Sequence, residues 1–513
     1  MEYLLTNAQM RRADEYTIKT LGVESLTLME RAGNALATQA EELLDLRGKR
    51  IRERVLCVCG GGNNGGDGFV CARVLRTRGV DTDVVFFAEK TSAECAENLK
   101  RYQETGGRIL EKVPTLGYAV VVDCLLGTGF HGELSTAYRA AVDGVNALKS
   151  AGAKVLAADI PSGINGENGA RASACVCADR TLCIGEKKAG VYLGEGIDFA
   201  GEIVRADIGI SLPETKYAKL IDDETARAFL PKRKRYSNKG SYGKAAIVGG
   251  NIAYTGAAAL STAACLRSGA GYTTLFVPQG ILPYYVLKYP EVLLRPISKG
   301  NEIVFEKGAF EGLLAFDSVA FGMGAGVSQA VADGAVFLLE NYTGKLVLDA
   351  DALNSLAAYK KDGLCSILRQ AKCDVVLTPH IKEFARLTDM SVAEIVERGL
   401  SAGEEFFVQT GATLLLKNAV SIIYGKDGIF VNAAGNSGQA KGGSGDVLAG
   451  VLAGLLAQGC DTQKAAVCAA YIVGKAAEKA ALDMGEYAIT ASELIAYMGG
   501  VHLLSGFNNP KTV

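Results

Sequence analysis

The sequence predicts an α/β protein of two domains, each built on a doubly wound parallel sheet. Three observations point there. Short runs of apolar residues alternate with longer segments of helical spacing, as in Val55–Cys59 followed by Phe69–Arg78. Many of these runs end at a glycine cluster or an acidic residue, as at Gly60-Gly61-Gly62 and Asp159. The chain has 513 residues, and domains hold roughly 100–200 each. Strands covered by helices on both faces read as continuous apolar runs, and strand–helix alternation makes the sheet parallel. With 49% hydrophobic and 21% charged residues, the chain can bury large cores and is not disordered. Its 62 glycines follow no fixed period.

Taken in order, residues 8–47 read as helices, with Met10, Ile18, Leu28, Met29, Ala32 and Leu36 near helical spacing. Val55–Cys59 is a buried strand, followed by a loop over Gly60–Gly68 and a helix from Phe69 to Arg78. Val84–Phe87, Val120–Asp123 and Val155–Asp159 are further strands, the last two ending on acids. Ligands of such sheets bind beyond the carboxyl ends of the strands, where the 60–68 loop, Asp123 and Asp159 all fall. Strand signals fade over 207–240, Pro213 and Pro231 interrupt, and Lys232-Arg233-Lys234-Arg235 reads as a solvated basic face, with a nuclear signal or phosphate-steering patch as the alternatives. The domains are therefore set at 1–210 and 236–513, with a linker over 211–235. The second domain opens with a strand at Ala245–Val248. Further strands are expected at Thr273–Val277, Ser318–Phe321, Leu346–Leu348, Val375–Leu377, Leu414–Leu416 and Ser421–Tyr424. The helix after Gly445, rich in Ala, Leu and Val, should be buried to about Leu456.

Composition excludes several function classes. A net charge of −2 argues against general nucleic-acid binding. No run of about 18 apolar residues suggests a membrane span, and the N-terminus lacks the pattern of a signal peptide. Thirteen cysteines without disulfide or metal spacing fit a reducing cytoplasm. Cys57 and Cys59, like Cys175 and Cys177, read as buried thiols.

The chemistry of the second half gathers at Gly442-Gly443-Ser444-Gly445-Asp446, just before the buried helix. Glycines let backbone approach a ligand, and free N–H groups at a helix start form an anion site. A carboxylate beside that anion suits a base acting on a neighbouring hydroxyl; the alternative is a helix cap. Asp349 and Asp351 stand at one strand end, His380 with nearby Glu383 at the next, and Gly322-Met323-Gly324-Ala325-Gly326 at another. Alone, His380 would more often be a packing or capping residue.

With Lys239-Gly240-Ser241-Tyr242-Gly243, Gly249-Gly250-Asn251, Tyr254-Thr255-Gly256-Ala257-Ala258, Asp349-Ala350-Asp351-Ala352-Leu353 and Thr378-Pro379-His380, this half resembles the ribokinase-like fold. Within that fold it resembles the ADP-dependent NAD(P)H-hydrate dehydratases, over about residues 236–500. The resemblance implies that Ala257, Gly324, His380 and Asp446 face a hydrated nicotinamide. It also implies that Lys417, Asn418, Ala419, Val420, Ser421 and Gly445 hold ADP, the co-substrate, with Mg2+ assisting. The family usually carries glycine where Asn418 stands, and Pro-Gly where this chain has Ile381-Lys382.

The first half centres on Gly60-Gly61-Gly62-Asn63-Asn64-Gly65-Gly66-Asp67-Gly68, which is not the dinucleotide fingerprint. Asn64, Asp123 and Ser162 supply hard oxygens that suit a cation, and the bland alternative is a tight asparagine turn. With Asn7-Ala8-Gln9-Met10-Arg11-Arg12-Ala13-Asp14, Gly127-Thr128-Gly129 and Asp159-Ile160-Pro161-Ser162-Gly163, residues 1–210 resemble the NAD(P)H-hydrate epimerase domain. That resemblance implies K+ at Asn64, Asp123 and Ser162. It also implies hydrate contacts from Asn63, Asn64, Gly65, Gly66, Asp67, Gly127, Thr128, Gly129, Phe130, His131, Gly132, Glu133 and Asp159. Asp159 is the candidate acid–base group.

The expected function is repair of hydrated NADH and NADPH, called NADHX and NADPHX. The first domain would interconvert the R and S forms at C6, and the second would dehydrate the S form with ADP. A homo-oligomer is expected. The rivals are a small-molecule kinase of the same fold and a non-catalytic binding module in the first half.

Overall fold

The structure, a computed structural model, describes residues 2–45, 53–88, 90–214, 216–360 and 362–504. It divides into two compact units, Glu2–Tyr217 and the chain from Ala218 onward. Among the described residues no helix is long and apolar enough to cross a membrane. All thirteen cysteines are free thiols, most of them buried.

The first unit carries β1 (Glu2–Leu5), β2 (Val55–Gly60), β3 (Thr82–Phe87), β4 (Arg108–Leu110), β5 (Val120–Cys124), β6 (Lys154–Ala158), β7 (Arg180–Ile184), β8 (Lys187–Lys188) and β9 (Glu202–Ala206). Seven of them form a parallel sheet in the order β4-β3-β2-β5-β6-β7-β9, and β1 pairs with β8. Helices 25–45 and 63–77 bury Leu28, Ala32, Leu36, Phe69 and Val70 on one face of the sheet. Helix 136–150 buries Ala141, Val142 and Val145 on the other. The strand order reverses between β2 and β5, and ligands bind in the crevice at such a switch point.

Two expectations are corrected here. Residues 63–68 are not loop: the helix starts at Asn63, six residues before Phe69, with Gly62 as its N-cap. The glycines there serve close packing rather than turning, and none of Gly65, Gly66 and Gly68 has positive φ. A Cβ on Gly65 would stand 1.8 Å from the Gly60 carbonyl oxygen, and one on Gly68 would stand 2.6 Å from the Cys59 sulfur. Asp123 does not end its strand either. It lies within β5, opposite Val58 and Ala157, and is fully buried.

The second unit carries β10 (Ala218–Leu220), β11 (Lys244–Val248), β12 (Tyr272–Pro278), β13 (Leu293–Ser298), β14 (Ser318–Phe321), β15 (Lys345–Leu348), β16 (Asp374–Leu377), β17 (Thr413–Leu416), β18 (Ser421–Gly425) and β19 (Gly428–Asn432). Their order is β13-β12-β11-β14-β15-β16-β17-β18-β19-β10, with the switch between β11 and β14. The sheet is parallel through β17, but β17–β18 and β18–β19 are antiparallel, so it is mixed rather than wholly parallel.

Three strands of the second unit escaped the sequence reading, as β1, β4, β7, β8 and β9 did in the first. β13 contains Arg295 and Pro296 and is largely exposed, so no apolar run marks it. β19 returns from β18 by a tight hairpin at Lys426-Asp427. β10 pairs with β19 inside the stretch expected as linker. The following helix, Asp223–Phe229, is capped by Asp222, and Phe229 stacks edge-on against Phe430 at 5.7 Å. The second unit therefore begins at 218. The basic run 232–235 is exposed, as expected of a solvated face.

Helix 444–457 is buried without a break from Val447 to Ala457. It lies against helix 255–267, where a Cβ on Gly450 would stand 2.1 Å from the Ser261 carbonyl oxygen. That contact sets how far Asp446 sits from Ala257. Gly450→Ala is expected to lower the unfolding free energy of this unit by about 1–3 kcal/mol through overpacking. Gly256→Ala, whose added Cβ meets nothing within 4 Å, should change it by no more than about 1 kcal/mol. Urea unfolding of the two variants checks the contrast.

Candidate active sites

The first site forms beyond β2, β5 and β6. Asp123 accepts from the Ser162 hydroxyl at 2.7 Å, from the Ser162 amide at 2.8 Å and from the Leu125 amide at 3.3 Å. Burial pushes its carboxyl up to about 6, although these donors pull the other way. Asn64 donates to the Leu126 carbonyl at 2.9 Å, and the Leu126 amide donates to Ser162 Oγ at 3.0 Å. Asn64, Asp123 and Ser162 are thus linked through one strand end. Gly127 packs beside Asn64, since a Cβ on it would stand 3.3 Å from the Asn64 Cβ. From Gly129 to Glu133 the loop is largely exposed, including His131, and Glu133 is tied back by the Ser173 amide at 2.9 Å. Of the expected hydrate contacts, Asn63 is exposed and Asn64 half-buried. Gly65 and Gly66 face inward instead, against Gly60 and Met29.

Asp159 follows β6 at φ 70°, in the left-handed region that non-glycine residues avoid. Strained positions of this kind gather at functional sites. Its Oδ1 accepts from the Ile184 amide at 2.9 Å and from the ammonium of Lys188, which is only 1% exposed. Asp67 and Asp14 share this electrostatic neighbourhood. Burial, and repulsion by Asp159, hold the Asp67 carboxyl well above its ordinary range. The same causes lift Asp14 to about 6. Sequence reading missed Lys188 and took Asp14 only as part of a motif. The signal available for Lys188 was a charged pair, Lys187-Lys188, set between apolar runs.

The second site forms beyond β14, β15, β16 and β17. Lys417 follows β17 and donates to Asp349, at the end of β15, at 2.7 Å. Burial would lower this ammonium, but Asp349, Glu383 and Asp446 together hold it above its ordinary value. Ala350, between Asp349 and Asp351, has φ 48°, the second strained non-glycine turn at a strand end. Asp351 accepts from the Gly326 amide at 2.8 Å, tying the glycine loop after β14 to this turn.

Asp446 lies in the first turn of helix 444–457, whose N-cap is Gly443 at φ 99°. No side chain caps this helix, so the capping alternative for Asp446 does not hold. Gly445 belongs to the helix rather than to the loop, and a Cβ there would stand 3.4 Å from Lys417 Nζ. Burial, then repulsion by Asp349, raises the Asp446 carboxyl to about 7, with Lys417 opposing. Ser261 Oγ donates to both the Ala257 and Asp446 carbonyls, at 3.1 and 2.9 Å. A Cβ on Gly324 would stand 2.9 Å from that of Ala257. Ala257, Gly324 and Asp446 therefore line one place.

His380 caps helix 381–388. Its Nδ1 accepts from the Glu383 amide at 3.2 Å, and Glu383 accepts from the His380 amide at 2.9 Å. Burial, Lys417 and Arg386 lower its pKa. The ring uses Nδ1 as a cap, and its Nε2 stands 3.5 Å from Glu383 Oε1. Of the expected nucleotide residues, Asn418 and Ala419 are exposed at the turn before β18, Ser421 is half-buried and Val420 is buried. Lys417 is not a free cation but is committed to Asp349. Among the described residues no group of three His, Cys, Asp or Glu side chains gathers to hold a metal ion.

The comparisons follow this division. Residues 245–498 match the family model of NAD(P)H-hydrate dehydratase, and residues 25–190 match that of the YjeF-related protein N-terminus. The bifunctional NAD(P)H-hydrate repair enzyme Nnr of Moorella thermoacetica is 34% identical over 97% of this chain and 96% of its own. The enzyme of the same name from Salinibacter ruber is 33% identical over 96% of this chain and 94% of its own. A ribokinase-like superfamily protein from Enterococcus faecalis superposes at a TM-score of 0.50 with 24% identity, covering 58% of this chain and 100% of that one, which establishes the fold of the second unit. On both halves together, the chain belongs to the family of bifunctional NAD(P)H-hydrate repair enzymes.

Proposed function

We propose that the two sites run consecutive steps of one repair: the first interconverts the R and S hydrates of NADH and NADPH at C6, and the second dehydrates the S form with ADP. The observation that carries the second step is Asp446, a carboxyl raised to about 7 beside an uncapped helix start. A general base works best with a pKa near the working pH, and the free N–H groups of the helix start favour phosphate.

Asp446 takes the proton of the C6 hydroxyl. The oxygen attacks the β-phosphorus of ADP, and AMP leaves. Phosphate then departs from C6 as the ring loses a proton from C5, which restores the reduced nicotinamide. His380, fixed against Glu383 as the cap of its helix, lies beside the substrate. Lys417, held by Asp349 near Gly445, adds positive charge beside the phosphates. Mg2+ bound with the nucleotide would neutralise phosphate charge.

In the first site Asp159 is the acid–base group. The fit for K+ rests on Asp123, a fully buried carboxylate whose hydrogen-bond partners are all neutral. A cation held by Asn64, Asp123 and Ser162 would supply the missing positive charge. Replacing choline chloride with KCl at constant ionic strength is expected to raise the melting temperature of the first unit. The rise should vanish in Asp123→Asn.

The whole reading is tested by offering the protein mixed hydrate epimers with ADP. Complete consumption, with release of AMP and phosphate, is expected. Consumption of only one epimer would remove the first activity, and a stable phosphorylated product would mean a kinase. Asp446→Asn should abolish nucleotide-dependent dehydration, at least about 100-fold, and leave epimerisation intact. In the unaltered protein the dehydration rate should fall about tenfold per pH unit below about 7, because the base is lost as Asp446 protonates. A flat profile across that range would assign the proton transfer to another group.

A further inference from the structure

Among the described residues, Lys188 is the buried ammonium bonded to Asp159 in the first site. Lys188 donates to Asp159 and to the Ile184 carbonyl, both within hydrogen-bond contact. It stands on β8, in register with Leu5 of β1, while Lys187 pairs with Glu2. Its position is therefore fixed by strand pairing and not by Asp159 alone. A buried ammonium stays charged only among such partners. Asp14 lies on helix 7–15, which follows β1, and Asp67 in the first turns of helix 63–77. Both feel attraction from Lys188 and repulsion from Asp159. Asp159 is clamped from two sides, by the Ile184 amide and by Lys188.

We infer that Lys188 is the positioning residue of the epimerase half, a fixed ammonium that holds Asp159 as the proton acceptor. The inference rests on reading this site as an epimerase. Inversion at C6 needs one proton given and one taken. The C6–O bond breaks as the ring-nitrogen lone pair forms a C6–N double bond, and the oxygen leaves as water with a proton from solvent. Water adds to the opposite face, forming the new C6–O bond, and gives its proton to Asp159. Loss of that proton to solvent resets the site.

The test uses the full chain with Lys188→Met and Lys188→Arg, each fed the R hydrate. Lys188→Met is expected to lower the epimerisation kcat at least about 100-fold with KM within about threefold, and Lys188→Arg to recover part of the rate. Carbon-13 NMR of the aspartate carboxyls, assigned with Asp14→Asn, should move the Asp14 midpoint upward from about 6 in Lys188→Met, because Lys188 lowers it in the unaltered protein. An unchanged rate, equal loss in both variants, or an unmoved Asp14 midpoint would each overturn the role. If the unaltered protein does not interconvert the hydrates, the epimerase reading fails and the proton-accepting step fails with it. The Asp14 titration then still decides whether Lys188 divides its charge among these carboxyls.

Discussion

A lysine facing an excess of carboxyl groups, buried at Lys188 and half-buried at Lys417, is the constraint on which each half depends. In the first unit Lys188 meets Asp159, with Asp14 and Asp67 close enough to be pushed upward. In the second Lys417 meets Asp349, with Glu383 and Asp446 in its field. One ammonium cannot neutralise three carboxylates in a medium that solvates charge poorly, so Asp14, Asp67 and Asp446 are pushed upward.

The fold supplies the crowding that charge alone would avoid. Parallel strands bring Asp159 and Asp349 to carboxyl ends, each at or beside a strained non-glycine residue, Asp159 itself and Ala350. Such strain costs about 1–3 kcal/mol and persists only where the surroundings over-determine it. Here strand register, the hydrogen bonds to Ile184 and Gly326, and the ion pairs to lysine do so. Glycines contribute by absence of bulk. Gly65 and Gly68 let helix 63–77 press onto β2 and β5, and Gly450 lets helix 444–457 press onto helix 255–267. Each contact fixes the distance between a functional carboxyl and the sheet.

The two sites differ in how they treat an anion. The second has an uncapped helix start with glycines on both sides of Ser444, open to phosphate. The first also begins a helix at a glycine, Gly62, but the buried carboxyl of Asp123 stands at the neighbouring strand, and the occupant proposed there is a cation.

What the sequence by itself determined was the strand–helix alternation, the two-domain plan, the strand-end acids Asp159 and Asp349, and the glycine clusters. Each is a local pattern of apolar period or residue type, and the family resemblance added roles to those positions. The tertiary structure decided what local pattern cannot carry. The helix start at Asn63 was hidden because its glycines look like loop until the sheet that needs them is present. β13 was hidden because an exposed strand has no apolar run, and β10 because three residues show no period. Lys188 was hidden for the same kind of reason. A lysine looks solvent-bound in sequence, and only the pairing of β8 with β1 buries it against Asp159, 29 positions away. Charge burial depends on contacts distant in the chain, and so does the protonation of every group proposed to act.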